Sequence, residues 1–163
     1  DLLSFSLRNY GAEVTAVCST RNVELVRSLG ADRVIDYTQQ DFAQDPERYD
    51  LILDNVGNRS ISDLRRVLQP KGTLVIVGAQ KGDWIGPMMG VIKASIVAPF
   101  VDQKMGFFIA RLDHDDMKLL GELMQNGKMT AVIDRRYPLN EAAKAMEYLE
   151  AGRARGKVIV SLE

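Results

Sequence analysis

The sequence holds a single cysteine, Cys18, and a single histidine, His114, in 163 residues. A lone thiol excludes a disulfide framework within the chain and any zinc or iron–sulfur site that needs several cysteines. Charge of one sign is also lacking: 21 Lys and Arg stand against 22 Asp and Glu. That balance gives no electrostatic footprint for nucleic acid or for an acidic membrane surface. No apolar run approaches the ~18 residues of a bilayer-spanning helix. The opening Asp1-Leu2-Leu3-Ser4-Phe5-Ser6 places no basic segment before an apolar one, unlike a secretory signal. What is present is apolar material, 46% of residues, too much for a disordered chain of low net charge. The expectation is one soluble, cytoplasmic domain over residues 1–163, large enough to bury a core.

Residues 1–10 fit a short helix or a strand equally well. Beyond Gly11, Ala12–Cys18 reads as a strand rich in β-formers, and Val23, Leu25, Val26 and Leu29 mark a helix face closed by Gly30. Val34–Tyr37 and Tyr49–Asp54 read as further strands, and Ser60–Leu68 as a helix. Pro70-Lys71-Gly72 reads as a turn before the strand Thr73–Gly78. That strand is continuously apolar, as suits burial on both faces of a parallel sheet. Residues 79–100 read as loop and helix, Met105–Ile109 as a strand, and 114–126 as a helix with Met117, Leu120 and Met124 in a stripe. Ala131–Ile133 is strand-like, Pro138–Leu149 an amphipathic helix, and Lys157–Ser161 a last strand. Such alternation predicts an α/β fold, a doubly wound and mostly parallel sheet with helices on both faces.

The tip of the strand ending at Cys18 is the most informative point. In a dinucleotide fold the residue there faces the adenosine ribose, and an acid would accept from both ribose hydroxyls while repelling a 2′-phosphate. Here Ser19-Thr20-Arg21 offers hydroxyls and a cation, suited to a phosphate dianion. Alternatively, Ser19 or Thr20 caps the following helix and Arg21 is simply solvated. Asp54-Asn55-Val56-Gly57 ends another strand, either as a ligand-facing turn or as a locally capped connection. Gly78, Gly82, Gly86 and Gly90 recur every four residues but match no phosphate-cradle spacing, so only Gly78, at a strand end, is a candidate contact. Asp113-His114-Asp115-Asp116 resembles a metal cluster on paper, yet acids also suit a helix start, and no metal site is expected. Met117, Met124 and Met146 read as core filler.

The strings Gly11–Tyr37, Tyr49–Gly57, Leu68–Val75, Gly127-Lys128 and Ala151–Val160 together resemble the cofactor lobe of the medium-chain dehydrogenase/reductases, in the zinc-independent quinone oxidoreductase-like branch. The resemblance covers roughly residues 10–163 and implies a Rossmann-like fold that binds NADPH. It implies that Ser19, Arg21 and Tyr37 surround the adenosine 2′-phosphate and that Asn55, Val56 and Gly78 line the cofactor groove. Phe107 and Phe108 would approach the nicotinamide, and Lys157 would close the site. Many members carry Lys near Asn22, which this chain lacks. It also lacks the family's GroES-like domain, first Rossmann strand and Gly-rich turn. A fragment, a single partial dinucleotide-binding domain, is therefore the expectation. Three arrangements answer the missing strand: residues 1–10 fill the gap, a second copy does so in a homodimer, or the flanking strands pair directly.

The implied activity of the parent protein is NADPH-dependent reduction of a small-molecule quinone or activated enone by hydride transfer, the chain alone being inactive and no catalytic residue named. A non-catalytic cofactor-binding or self-associating module is the alternative. An S-adenosylmethionine methyltransferase comes last, because no glycine-rich loop precedes a carboxylate-tipped second strand.

Overall fold

A computed structural model describes residues 11–77, 102–107 and 113–162. These fall into two compact units, one of residues 11–40 and 113–162, the other of residues 41–77 and 102–107.

In the first unit, β1 (Thr15–Cys18) and β2 (Arg33–Asp36) form a parallel pair with Cys18 opposite Asp36. They are joined through a 3-10 turn (Thr20–Asn22) and α1 (Val23–Ser28). The crossover packs because α1 turns Val26 inward, and Val26, Leu29, Val14 and Ile35 are buried. Gly30, at φ +91°, ends the helix in the left-handed conformation that glycine adopts without a Cβ clash. Its amide donates to the Arg27 carbonyl and the Ala31 amide to that of Val26. The rest of the unit is α3 (His114–Gln125), then β6 (Ile133–Pro138) and β7 (Lys157–Ser161), again parallel, connected through a 3-10 turn (Leu139–Glu141) and α4 (Ala142–Glu150).

That second unit holds β3 (Tyr49–Asp54), α2 (Ile61–Arg66), β4 (Leu68–Ile76) and β5 (Lys104–Phe107), the strands forming a parallel sheet in the order β3-β4-β5. Its core is Leu64, Leu68 and Leu74, all buried, with Phe42, Ile52, Ile76 and Met105 packed around them. The side chain of Ser60 accepts from the Asp63 amide and caps α2, as a hydroxyl N-cap should. Gln103 ties the unit together. Its amide nitrogen donates to the carbonyls of Arg65, Leu68 and Gln69 at 3.2–3.3 Å, and its oxygen accepts from Arg65 Nε at 2.8 Å. Removing it leaves half-buried carbonyls without their donor. Gln103→Ala is therefore expected to cost about 1–2 kcal/mol, read as a lower midpoint in urea with an unchanged slope.

The α/β class and its parallel pairing match the sequence-based expectation. Three details differ. Pro70-Lys71-Gly72 is no separate turn: β4 runs through it, and Leu68 faces Tyr49 while Thr73 faces Leu51, so the extra residues bulge from the strand. Proline lacks the amide a regular ladder needs and belongs at such a bulge. The predicted strand at Ala131–Ile133 begins instead at Ile133, because pairing with β7 recruits the polar Asp134-Arg135-Arg136. Finally, Met117, Met124 and Met146 are not core filler, being 57%, 48% and 58% exposed, and no residue of α3 is buried. Helical spacing of apolar residues records amphipathicity, not what covers the face. The expectations for residues 1–10 and 79–100 lie outside the described residues.

Candidate cofactor-binding site

The two halves of the expected groove lie one in each unit. In the first, Ser19 follows the last residue of β1 in extended conformation (φ −82°, ψ 159°) and stands at the N-cap position, yet its side chain makes no capping bond. Thr20 does not cap either, since its hydroxyl meets that of Thr38 at 2.8 Å. The capping alternative is thus not what the structure adopts. Arg21 is exposed on the same turn. Tyr37 is brought beside them by its amide, which donates to the Cys18 carbonyl at 3.0 Å, at the carboxyl ends of β1 and β2. The residue is 54% exposed, open to a ligand. The structure therefore gathers Ser19, Arg21 and Tyr37 at one strand edge.

That edge also carries an acid that sequence reading passed over. Asp36 accepts from the Thr38 amide and hydroxyl at 2.9 and 2.8 Å and from the Gln39 amide group at 3.3 Å. A hydroxyl bond from Thr20 first, and the Thr38 bonds after it, hold its carboxyl below the usual range. Partial burial, then the Asp36 charge, push the Cys18 thiol up, away from the reactive thiolate. The Asp–Tyr–Thr order of residues 36–38 was the available signal, since Asp readily bonds the backbone two residues on.

In the second unit the strand ends are level, Asp54 facing Ile76 and Ile76 facing Phe107. Asp54 Oδ1 accepts from the Val56 and Gly57 amides at 3.1 and 2.8 Å. This folds Asn55 and Val56 into a tight, exposed turn that Gly57 completes at φ +67°. The Val77 amide donates to the Asp54 carbonyl at 2.8 Å, fixing the end of β4 beside that turn. Phe107 is the last residue of β5. Gly78 and Phe108 lie outside the described residues.

Lys157 begins β7, exposed, with its amide donating to the Val132 carbonyl at 2.7 Å. Two residues earlier Arg155, also exposed, reaches Asn22 on the turn after β1: Nε to Oδ1, 3.1 Å. Its own amide donates to Asp134 Oδ2 at 2.9 Å, an oxygen that also accepts from the Tyr148 hydroxyl at 2.8 Å. Those bonds, the Arg155 amide first, hold the Asp134 carboxyl low, and the Arg135 guanidinium lies 4.0 Å from the Tyr148 ring centre. Neither Asn22 nor Arg155 was marked by sequence spacing, because 133 residues separate them.

At His114 the helix-start interpretation holds: Asp113 accepts from the Asp115 amide at 2.8 Å and caps α3. Among the described residues no three His, Cys, Asp or Glu side chains converge to hold a metal ion. Nor is any of their helices long and apolar enough to cross a membrane.

Residues 29–160 match the family model described as zinc-binding dehydrogenase. Among the described residues no donor set fits the zinc of that name. A mitochondrial NAD(P)H oxidoreductase of Mus musculus is 33% identical over 96% of this chain and 43% of its own length. An NADPH-dependent alkenal/one oxidoreductase of Arabidopsis thaliana chloroplasts is 32% identical over 93% of this chain and 34% of its own length. The chain thus spans less than half of these curated relatives. Among solved structures, the quinone oxidoreductase of Coxiella burnetii superposes with a TM-score of 0.81 at 24% identity, over 99% of this chain and 49% of that one. The likeness shows that the fold is the Rossmann-like one of dinucleotide-binding lobes. The chain belongs to the zinc-binding dehydrogenase family, within the medium-chain dehydrogenase/reductases.

Proposed function

We propose that this chain is the cofactor-binding part of an NADPH-dependent oxidoreductase that reduces a small-molecule enone or quinone. One observation carries the proposal: at the carboxyl end of β1 a Ser19 hydroxyl without capping duty stands two residues before the exposed Arg21. Hydroxyl and guanidinium donors at this place suit the 2′-phosphate that separates NADPH from NADH. Residues 1–163 are taken as a single, partial dinucleotide-binding domain. In it Ser19, Arg21 and Tyr37 would hold the adenosine phosphate. Asn55, Val56 and Gly78 would line the groove, Phe107 and Phe108 would meet the nicotinamide, and Lys157 would close over it. The bound dinucleotide supplies the hydride, and the chain's own work is to bind and orient it. The enone class follows the alkenal/one oxidoreductase activity of the Arabidopsis thaliana relative. A cytoplasmic compartment, which keeps a lone thiol such as Cys18 reduced, completes the proposal.

Calorimetric titration with NADPH and NADH in parallel is the test. NADPH is expected to bind more tightly, and Arg21→Ala to weaken NADPH about tenfold while leaving NADH unchanged, the effect of one charge-assisted contact. Equal affinity for the two cofactors, or binding of neither, would overturn the proposal. A second reading, a self-associating module that forms a homodimer, is favoured by the exposed Val17 and Leu51 on β1 and β3, 42% and 43% accessible. Sedimentation as a dimer without cofactor binding would support it.

A further inference from the structure

A ribose 2′-phosphate brings close to two negative charges, and at the β1 tip it would meet the Asp36 carboxylate as well, opposite Cys18. Arg21 alone leaves that balance negative. Asn22 closes the turn that Ser19 opens, its amide donating to the Ser19 carbonyl at 2.8 Å. Its side-chain oxygen is occupied by Arg155 Nε at 3.1 Å. Arg155 is held from behind through its amide on Asp134, the carboxylate that Tyr148 also binds. Among the described residues only Nε of its guanidinium donates a hydrogen bond, and no carboxylate lies within ion-pair distance of it, the Asp134 charge acting on it from farther away. A planar fork steered by one nitrogen keeps its remaining donors for a second acceptor, and phosphate oxygens match them in geometry.

We propose that Arg155 is the second cation of the 2′-phosphate site and so a cofactor-specificity residue. Asn22 and Asp134 are positioning residues that aim it across the chain at the β1 tip. This rests on the NADPH reading above. Asn22 thereby draws an arginine's charge from the loop before β7 to the turn after β1.

The test is calorimetric titration of the protein with NADPH, NADH and 2′-AMP, repeated for Arg155→Ala, Arg155→Lys and Asn22→Ala. Arg155→Ala is expected to weaken NADPH and 2′-AMP about tenfold and leave NADH unchanged. Arg155→Lys keeps the charge but loses the steering bond and should fall between. Asn22→Ala should reproduce part of the loss, again for the phosphorylated ligands alone, which a merely structural role would not do. Raising the salt concentration should weaken NADPH binding less steeply in Arg155→Ala than in the parent. An Arg155→Ala variant that binds NADPH as the parent does, or loses NADPH and NADH alike, overturns the proposal. If Arg21→Ala still loses NADPH selectively in that case, the NADPH reading survives it. A parent protein that binds neither NADPH nor 2′-AMP ends both.

Discussion

Replacing Ser19 by aspartate is expected to reverse the cofactor preference, weakening NADPH about 100-fold while NADH binds as well as before or better. The introduced carboxylate would stand at the end of β1, where an acid accepts from both ribose hydroxyls and faces a 2′-phosphate if one is present. Two like charges about 5 Å apart repel by roughly 3 kcal/mol at an effective dielectric constant near 20. Salt screening reduces this to about 2–3 kcal/mol, or the stated factor. The substitution is benign for folding because Ser19 already holds N-cap backbone angles without using its side chain, and aspartate is as good a cap as serine. An unchanged thermal midpoint would confirm that the cofactor effect is local. Paired titrations then decide the matter: a variant that keeps its NADPH affinity within twofold would show that Ser19 does not face the phosphate.

Much of this was legible in the sequence for a definite reason. Strands such as the Thr73–Ile76 part of β4 and helices such as the one capped by Ser60 are specified by neighbours within a few residues, and local patterning reports them directly. Ser19 and Arg21 were legible because they follow the end of a readable strand, whereas Tyr37 joined them only through the family resemblance, and it is the parallel pairing of β1 with β2 that brings its strand end level with theirs. Arg155 was not legible, since its partners Asn22 and Asp134 lie 133 and 21 residues away and an exposed arginine looks alike wherever it points. The misplaced β6 has the same origin. Ile133-Asp134-Arg135-Arg136 lacks the apolar alternation that marks a strand, and its extended form is imposed by the ladder with β7. For Met117 and Met146, periodicity disclosed a helix face and could not disclose its surroundings.

Gly156→Ala should be the most damaging single-atom change in the β6–β7 region. A Cβ at position 156 would lie 2.5 Å from the Val132 carbonyl oxygen and 2.9 Å from its Cγ1. The valine methyl group could turn aside, but the carbonyl oxygen cannot, because it accepts the Lys157 amide at 2.7 Å at the start of the β6–β7 ladder. The backbone must therefore separate where Ile133 pairs with Lys157, and the cost should reach about 3 kcal/mol, the upper range of overpacking. For a chain of this size that lowers the thermal midpoint by about 6–12 °C. Arg155 and Lys157 flank the glycine, so the bond from the Arg155 amide to Asp134 loosens with it and NADPH affinity should fall as well. Gly121→Ala is the matched control. Gly121 lies within α3 with nothing within 4 Å of its added Cβ, and alanine there should stabilise by up to about 1 kcal/mol through helix propensity. Opposite shifts in thermal midpoint for the two variants would tie the loss to the carbonyl clash. Equal shifts would show that the β7 entry has room for a methyl group, and that its glycine is not set by close packing.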